Sequence, residues 1–388
     1  MAAATCDIPR SFCSAFIFRS LTNHVLESLR IVDARLRAEG GLAYDPGLGL
    51  WIASSAEAVA AVLAHPACRV RAVDEPVPAA LANGPAGALF ARLMRMNDGP
   101  RHACPRAIIA PGLQALASVD LHACLDRGHP ALEAPTSVEE LRRWQLQLPV
   151  MMVAGLLGVA KTQQAEVARR TSELVAGFSP LGDAPQRQAA HLAAQHLELQ
   201  MQALLESDAP GPLLRAILQQ QGTLDPADLR ANLAGLLIQA HDACAGLFGN
   251  ALLALLGEPS LRQRLQRFPE QLGAWLLQQQ KLDPPVHNTR RFVAEPCTLA
   301  GVPLQAGNTV LVLLAAANHD PALDPGQDFS FGAGRHHCPG RGLALNIVTS
   351  LLQALLHTQA LAKLRLQWHY LPSLNGRIPW FSDASPTA

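Results

Sequence analysis

The stretch from Asp225 to about Leu256 constrains the fold more than any other. Asp225 is an N-cap residue type, and Pro226 takes the first helical position, where its missing N–H costs nothing. The run then continues without interruption to Gly257 and Pro259, which end it. At 1.5 Å per residue such a helix is roughly 48 Å long, enough to cross a whole protein of this size. Its middle is apolar on nearly every side, so it is expected to be buried.

With 388 residues, 49% of them hydrophobic, the chain can bury a large core. Length alone would suggest two or three domains. No linker, repeat or low-complexity run divides it, so residues 1–388 read as a single domain. A formal net charge of zero argues for neither nucleic acid nor an anionic membrane surface as partner. Residues Met1 to Phe18 hold no long apolar run, which reads as neither a signal peptide nor a membrane anchor. The eight cysteines form no Cys-x-x-Cys pair, a usage that fits a reducing cytoplasm better than a disulfide framework or a zinc site.

Helical periodicity marks Ser55–Ala64, Ser137–Ala160, Glu166–Phe178, Ala189–Leu205 and Pro269–Lys281. Ser137 and Glu140 have capping-box spacing, and Pro149 is expected to split or kink its region. Val73–Gly87 reads as a loop. Leu42–Ser54 and Thr289–Val312 read as short strands around turns, the latter at Ala300-Gly301 and Ala306-Gly307. The fold class expected is therefore mainly α with a small β part.

The chemistry points to Phe331-Gly332-Ala333-Gly334-Arg335-His336-His337-Cys338-Pro339-Gly340. A lone cysteine closes a glycine-rich loop, and an apolar helical stretch, Leu343–Leu356, follows at once. Nearby N–H groups and a helix N-terminus stabilise a thiolate, and a thiolate is a metal ligand. The glycines let backbone approach a flat, bulky group. The pattern Phe331, Gly334, Cys338, Gly340 resembles the heme-ligand signature of the cytochrome P450 superfamily, bacterial style, and the resemblance runs from about Gly41 to Phe381. It implies the cytochrome P450 fold, heme b as cofactor, and Cys338 as the axial iron ligand. Phe331, Gly332 and Gly340 then line the heme.

The same resemblance assigns the propionate partners. His102 and Arg106, four apart, follow Met96-Asn97-Asp98-Gly99-Pro100; Pro105 between them is tolerable in a first helical turn. Arg291, with Arg290 as substitute, follows Pro284-Pro285-Val286, and His336 lies two before the cysteine. His337 and His319 read as surface or turn histidines. On the long helix, Ala240-His241-Asp242-Ala243-Cys244 falls where the family carries an acid and a threonine that deliver protons to bound oxygen. Asp242 fills the acid position and Ala243 the threonine position without its hydroxyl; a Cys244 thiol is a weak donor. His241 is expected to face away from the heme.

A second departure concerns the family's Glu-x-x-Arg, replaced here by Gln278-x-x-Lys281, with no arginine in the segment before the cysteine loop. The charged network is expected to be absent, with Lys281 reaching solvent. Glu139-x-x-Arg142 and Glu140-x-x-Arg143 match the pattern by chance. Substrate contacts implied by the resemblance are Val73–Ala91, Gly235–Ala243, Val286–Asn288 and Ser373–Ile378. The activity implied is a monooxygenase acting on a small organic, secondary-metabolite type substrate, with electrons from a ferredoxin or flavodoxin. Because Ala243 lacks the hydroxyl, peroxide use or a rearrangement stands as an alternative, and so does a non-catalytic scaffold, heme-holding or heme-free, that binds a small molecule or partner protein.

Overall fold

In the computed structural model the described residues are 40–117, 134–358 and 364–384, together with Arg35, Leu36, Ala38, Val119, Leu121 and Leu361. The segment Met1–Phe18, considered above for a targeting signal, lies outside them. The strands and helices are β1 Leu42–Asp45, β2 Leu50–Ala53, α1 Ala56–Ala64, β3 Cys68–Arg69, α2 Pro85–Arg92, α3 Pro100–Ala115, α4 Val138–Leu146, α5 Leu148–Leu157, α6 Lys161–Phe178, α7 Ala184–Leu205, α8 Pro212–Leu218 and α9 Pro226–Gly257. There follow α10 Pro259–Arg267, α11 Leu272–Leu282, β4 Asn288–Val293, β5 Cys297–Leu299, β6 Val302–Leu304, β7 Thr309–Leu313, α12 Leu314–Asn318, α13 Arg341–Leu356, β8 Leu366–Tyr370 and β9 Pro379–Asp383.

The central helix α9 begins as its sequence requires. Asp225 caps it, accepting from the N–H groups of Ala227 and Asp228 at 2.8 and 3.2 Å. By length and composition it could cross a membrane, but 67% of its most apolar window is buried inside the fold. It packs against α4, α5, α6, α7 and α13. Phe248, fully buried on it, joins the largest apolar cluster. Truncating such a ring to alanine costs about 3–5 kcal/mol.

A five-stranded sheet, ordered β1-β2-β7-β4-β3, lies beside the helices. β2 and β7 are parallel, and the other pairs are antiparallel. Strand alternation decides which arginine of β4 turns inward. Arg291 is 5% exposed, and its neighbour Arg290 is exposed.

Several boundaries differ from the sequence expectation. The stretch 73–87 is not all loop: a 3-10 turn at Ala79–Leu81 precedes α2, whose Pro85 sits in its first turn. The Ala86 N–H of α2 donates to His191 Nδ1 at 3.2 Å, a tertiary bond that local pattern does not show. α7 starts at Ala184 because Asp183 and Gln186 form a full capping box. At α4, Ser137 caps the Glu140 N–H, but the Glu140 carboxylate turns to Thr136 instead of back to Ser137. Pro149 stands in the first turn of α5 and so separates two helices, as expected. Pro105 is a correction: it lies inside α3, past the first turn, so α3 forgoes one backbone bond there.

Candidate functional site

Cys338 stands just before α13, in a loop that folds back on itself. Its N–H donates to the Phe331 carbonyl at 2.9 Å, and the His337 N–H to Gly334 at 3.1 Å. Gly334 has φ 64°, and a Cβ there would meet the Leu63 carbonyl oxygen at 2.9 Å, so only glycine fits. The Arg341 guanidinium lies over the Phe331 ring, 5.3 Å from its centroid. Burial raises the Cys338 thiol pKa. Opposing it are the N–H groups of Gly340 and Arg341 and the charges of Arg106 and Arg341. The sulfur is thus deep, partly open, and ringed by groups that favour its thiolate.

Beside the loop lies a group of cations around one carboxylate. Asp98 Oδ1 accepts from Arg335 Nε and His336 Nε2, both at 3.1 Å, and Oδ2 accepts from the Val70 N–H at 2.9 Å. Burial pushes the Asp98 pKa up, but the bonds from His336, Val70 and Arg335 carry it well below the usual range. The His102 ring lies against His336, centroids 4.1 Å apart. Burial, then the charges of His336 and Arg106, lower the His102 pKa to about 4. Arg291 donates to Thr289 Oγ1 at 3.1 Å and to the Arg290 carbonyl at 2.8 Å, while its buried Nε has no partner. Burial lowers its pKa to about 10.

Arg291, Arg335, Arg106, His102 and His336 therefore converge on a region where Asp98 supplies the negative charge. Three guanidiniums against one carboxylate, with Arg291 itself buried, call for a further anion. This donor set fits the two propionates of the heme that the cysteine loop implies. Arg335 was missed by sequence reasoning. Its guanidinium also donates to the carbonyls of His65 at 3.0 Å and Cys68 at 2.6 Å, which pins the loop to the sheet. The run of basic residues Arg335-His336-His337 just before Cys338 could have flagged it. His336 spends its Nε2 on Asp98, so its role is shared between the loop and any propionate.

Across from Cys338 runs the middle of α9. Between Ala231 and Leu252, only Gln239, Asp242 and Ala243 escape burial. Spaced i, i+3, i+4, they share one face, and that face borders open space. Next to them, Cys244 is close enough to Cys338 for the two thiols to interact electrostatically, and burial pushes its own pKa up to about 12. His241 turns toward α6. Its Nε2 meets Ser172 Oγ of α6 at 2.8 Å, and its Nδ1 meets Asp242 Oδ1 at 2.7 Å. Arg95, also missed, keeps free surface while burial lowers its pKa, and Asp242 is the charge that opposes the shift.

The replaced Glu-x-x-Arg is not an empty place. Gln278 is exposed, and it is Gln280, 1% exposed, that turns inward. Gln280 Nε2 donates to Asp328 Oδ2 at 2.7 Å, and its carbonyl accepts from Ser330 Oγ at 3.2 Å. Arg341 NH2 lies 3.5 Å from the same Asp328 oxygen. Asn318 joins the Lys281 carbonyl, Ser330 Oγ and the Phe329 N–H at 3.2, 2.7 and 2.8 Å. A mostly neutral network thus ties α11 to the segment before the cysteine loop. Lys281 is half-buried and contributes its backbone there. Nearby, buried Asp283 lies 3.3 Å from Arg377 NH1, a buried pair that hydropathy alone does not reveal. His319 Nε2 lies 3.0 Å from the Leu282 carbonyl, and His337 is half-buried, with burial lowering its pKa.

No family model matches the chain. It is 31% identical over 239 residues to a Mycobacterium tuberculosis protein named for cytochrome P450 140, an alignment covering 55% of this chain and 53% of that one. The chain therefore spans about half the length of the first curated relatives it matches. It is 30% identical over 275 residues to the vitamin D(3) 25-hydroxylase of Pseudonocardia autotrophica, covering 65% of this chain and 66% of the relative. Among solved structures it superposes on P450BioI in complex with hexadec-9Z-enoic acid ligated acyl carrier protein, with TM-score 0.75 and 19% identity. That likeness, over 95% of this chain and 98% of the other, concerns the fold.

Proposed function

The chain belongs to the cytochrome P450 superfamily, and on that premise we propose that it acts as one heme-thiolate domain, a cytoplasmic monooxygenase inserting one atom of O2 into a small organic substrate. The observation that carries this reading is the Cys338 thiol, cradled by the N–H groups of Gly340 and Arg341 and lying near Cys244 of α9. Heme, when bound, supplies the oxygen chemistry at its iron. Cys338 would be the protein ligand to that iron. Arg291, Arg106, His102 and His336, with Arg335 bracing them, would hold the propionates. Phe331, Gly332 and Gly340 would line the bound group. A ferredoxin or flavodoxin delivers the electrons.

On the opposite side, Asp242 holds a proton-transfer position. Its carboxylate is tied to His241, and through it to Ser172, which offers a path for protons from the α6 side. Ala243 orders no water by itself. The open face of α9 presents Gln239 and Asp242, and Arg95 carries its charge toward the same place. A substrate bearing a polar or anionic group suits such a wall better than a bare hydrocarbon, and its polar group can stand where the missing hydroxyl would be. The secondary-metabolite class of substrate is part of this proposal.

The absent hydroxyl at Ala243 specifically favours a second reading, in which the same heme site uses peroxide or catalyses a rearrangement. A reduced carbon monoxide spectrum tests the shared premise. Wild type should give the thiolate-type band and Cys338→Ala should not; a heme-loaded wild type without that band sinks both readings. A spin-state screen with carboxylic acids and their neutral amides then tests the polar wall, with Arg95→Ala expected to erase the preference for acids. Turnover with O2 and reductant, against turnover with peroxide, separates the two readings.

A further inference from the structure

A second set of ligand-type side chains lies apart from the iron ligand. His65, Cys68 and Cys297 each offer one donor atom, and these atoms all lie within 4.8 Å of one another. His65 follows α1 and Cys68 opens β3 three residues later, while Cys297 opens β5, so the trio joins the α1–β3 turn to a strand more than 200 residues on. Cys68 is fully buried, while His65 and Cys297 are half-buried, which leaves a path from solvent. Two thiols and an imidazole are a soft-to-borderline donor set, suited to Zn2+ and unsuited to Mg2+ or Ca2+.

We propose that His65, Cys68 and Cys297 bind one zinc ion, with water in the fourth position. The Ala67 N–H donates to His65 Nδ1 at 3.2 Å, so in the neutral ring Nδ1 carries the lone pair and Nε2 the proton, and zinc would take Nδ1 in exchange for the Ala67 bond. The two thiols share a hydrogen bond and would repel one another as thiolates, which a divalent cation relieves. Binding displaces both thiol protons: one Zn2+ replaces two H+, and the core becomes neutral. A disulfide between the cysteines would satisfy the sulfurs but leave the adjacent imidazole unused.

The position also gives the ion a consequence. Arg335 donates to the carbonyls of His65 and Cys68, the same residues whose side chains form the trio. A cation there clamps this turn to β5 and stiffens the seat of Arg335, and so the cysteine loop. Metal loading should therefore raise the thermal stability of the holoprotein.

The test uses purified holoprotein loaded with zinc sulfate, desalted, and analysed for zinc and iron by plasma mass spectrometry. Wild type and Cys104→Ser, which removes an exposed cysteine elsewhere, should each keep about one zinc per chain. His65→Asn, whose amide oxygen can still accept the Ala67 N–H, and Cys297→Ser should bind more than roughly tenfold more weakly while keeping their heme iron. Cadmium-113 resonance of the cadmium-loaded protein should report a site with two sulfurs. The proposal is overturned if wild type desalts free of zinc, or if the two ligand variants, folded by heme content, retain as much as wild type. A mass showing Cys68 joined to Cys297 in the fresh wild-type protein also overturns it.

Discussion

Asp98 and His336, 238 residues apart in sequence, meet through a 3.1 Å contact between carboxylate and Nε2. The bond joins the entry of α3 to the cysteine loop. It holds His336 where its ring lies against His102, and it leaves Arg291 without a carboxylate of its own. Among the described residues this cluster is thus built around one carboxylate, that of Asp98.

That arrangement sets a pH response for the heme-free protein. The groups facing His102 are His336, Arg106, Asp98 and Arg335, and its folded pKa is lowered from 6.5 to about 4. Between those values the unfolded chain binds the proton more readily than the folded one. Stability should therefore decline as pH falls through this window, by at most about 1.4 kcal/mol per pH unit for one proton. Asp98, whose pKa is also depressed, adds a loss at lower pH still. Denaturant melts at several pH values should show the slope, and His102→Gln should flatten it between pH 6.5 and 4; an unchanged slope removes His102 as the cause.

Arg291→Ala should weaken heme retention without unfolding the sheet, since its guanidinium bonds only within β4. Arg290→Ala, on the exposed side of the same strand, should behave as wild type. Heme transfer to apomyoglobin measures the difference, and equal transfer rates in the two variants would remove Arg291 from the pocket.

Gln280, not Gln278, should matter for stability. Gln280→Ala removes a buried donor to Asp328 Oδ2, leaving that oxygen only its Arg341 contact, and should cost roughly 1–3 kcal/mol. Gln278→Ala, an exposed change, should stay within about 0.5 kcal/mol. Lys281→Ala should still fold and bind heme. Chemical denaturation compares the three, and a Gln278→Ala loss as large as that of Gln280→Ala would contradict the network described here.

Ala243 predicts poor coupling. With reductant and a ligand that brings no polar group, the wild type should release much of its electron supply as hydrogen peroxide. Ala243→Thr should reduce that fraction by restoring a hydroxyl that orders water, and Asp242→Asn should slow O2-driven turnover. Peroxide formed per reductant consumed is the measurement, and equal ratios in all three proteins would shift weight to the second reading.

Much of this protein was legible in its sequence. The Asp225 cap, the apolar run after it and the Phe331-to-Gly340 spacing are local features, written in residue types a few positions apart. Local physics decides them: capping satisfies the first N–H groups, periodicity decides a buried face, and glycine permits one tight turn. What only the tertiary structure decided are the partnerships. Gln280 turns inward and Gln278 outward because α11 packs against the segment holding Asp328, a contact 48 residues away. Arg335, Arg95 and the His65–Cys68–Cys297 trio gain meaning from elements brought together across most of the chain. Charge–charge and ligand geometry depend on distance in space, which residue order does not encode.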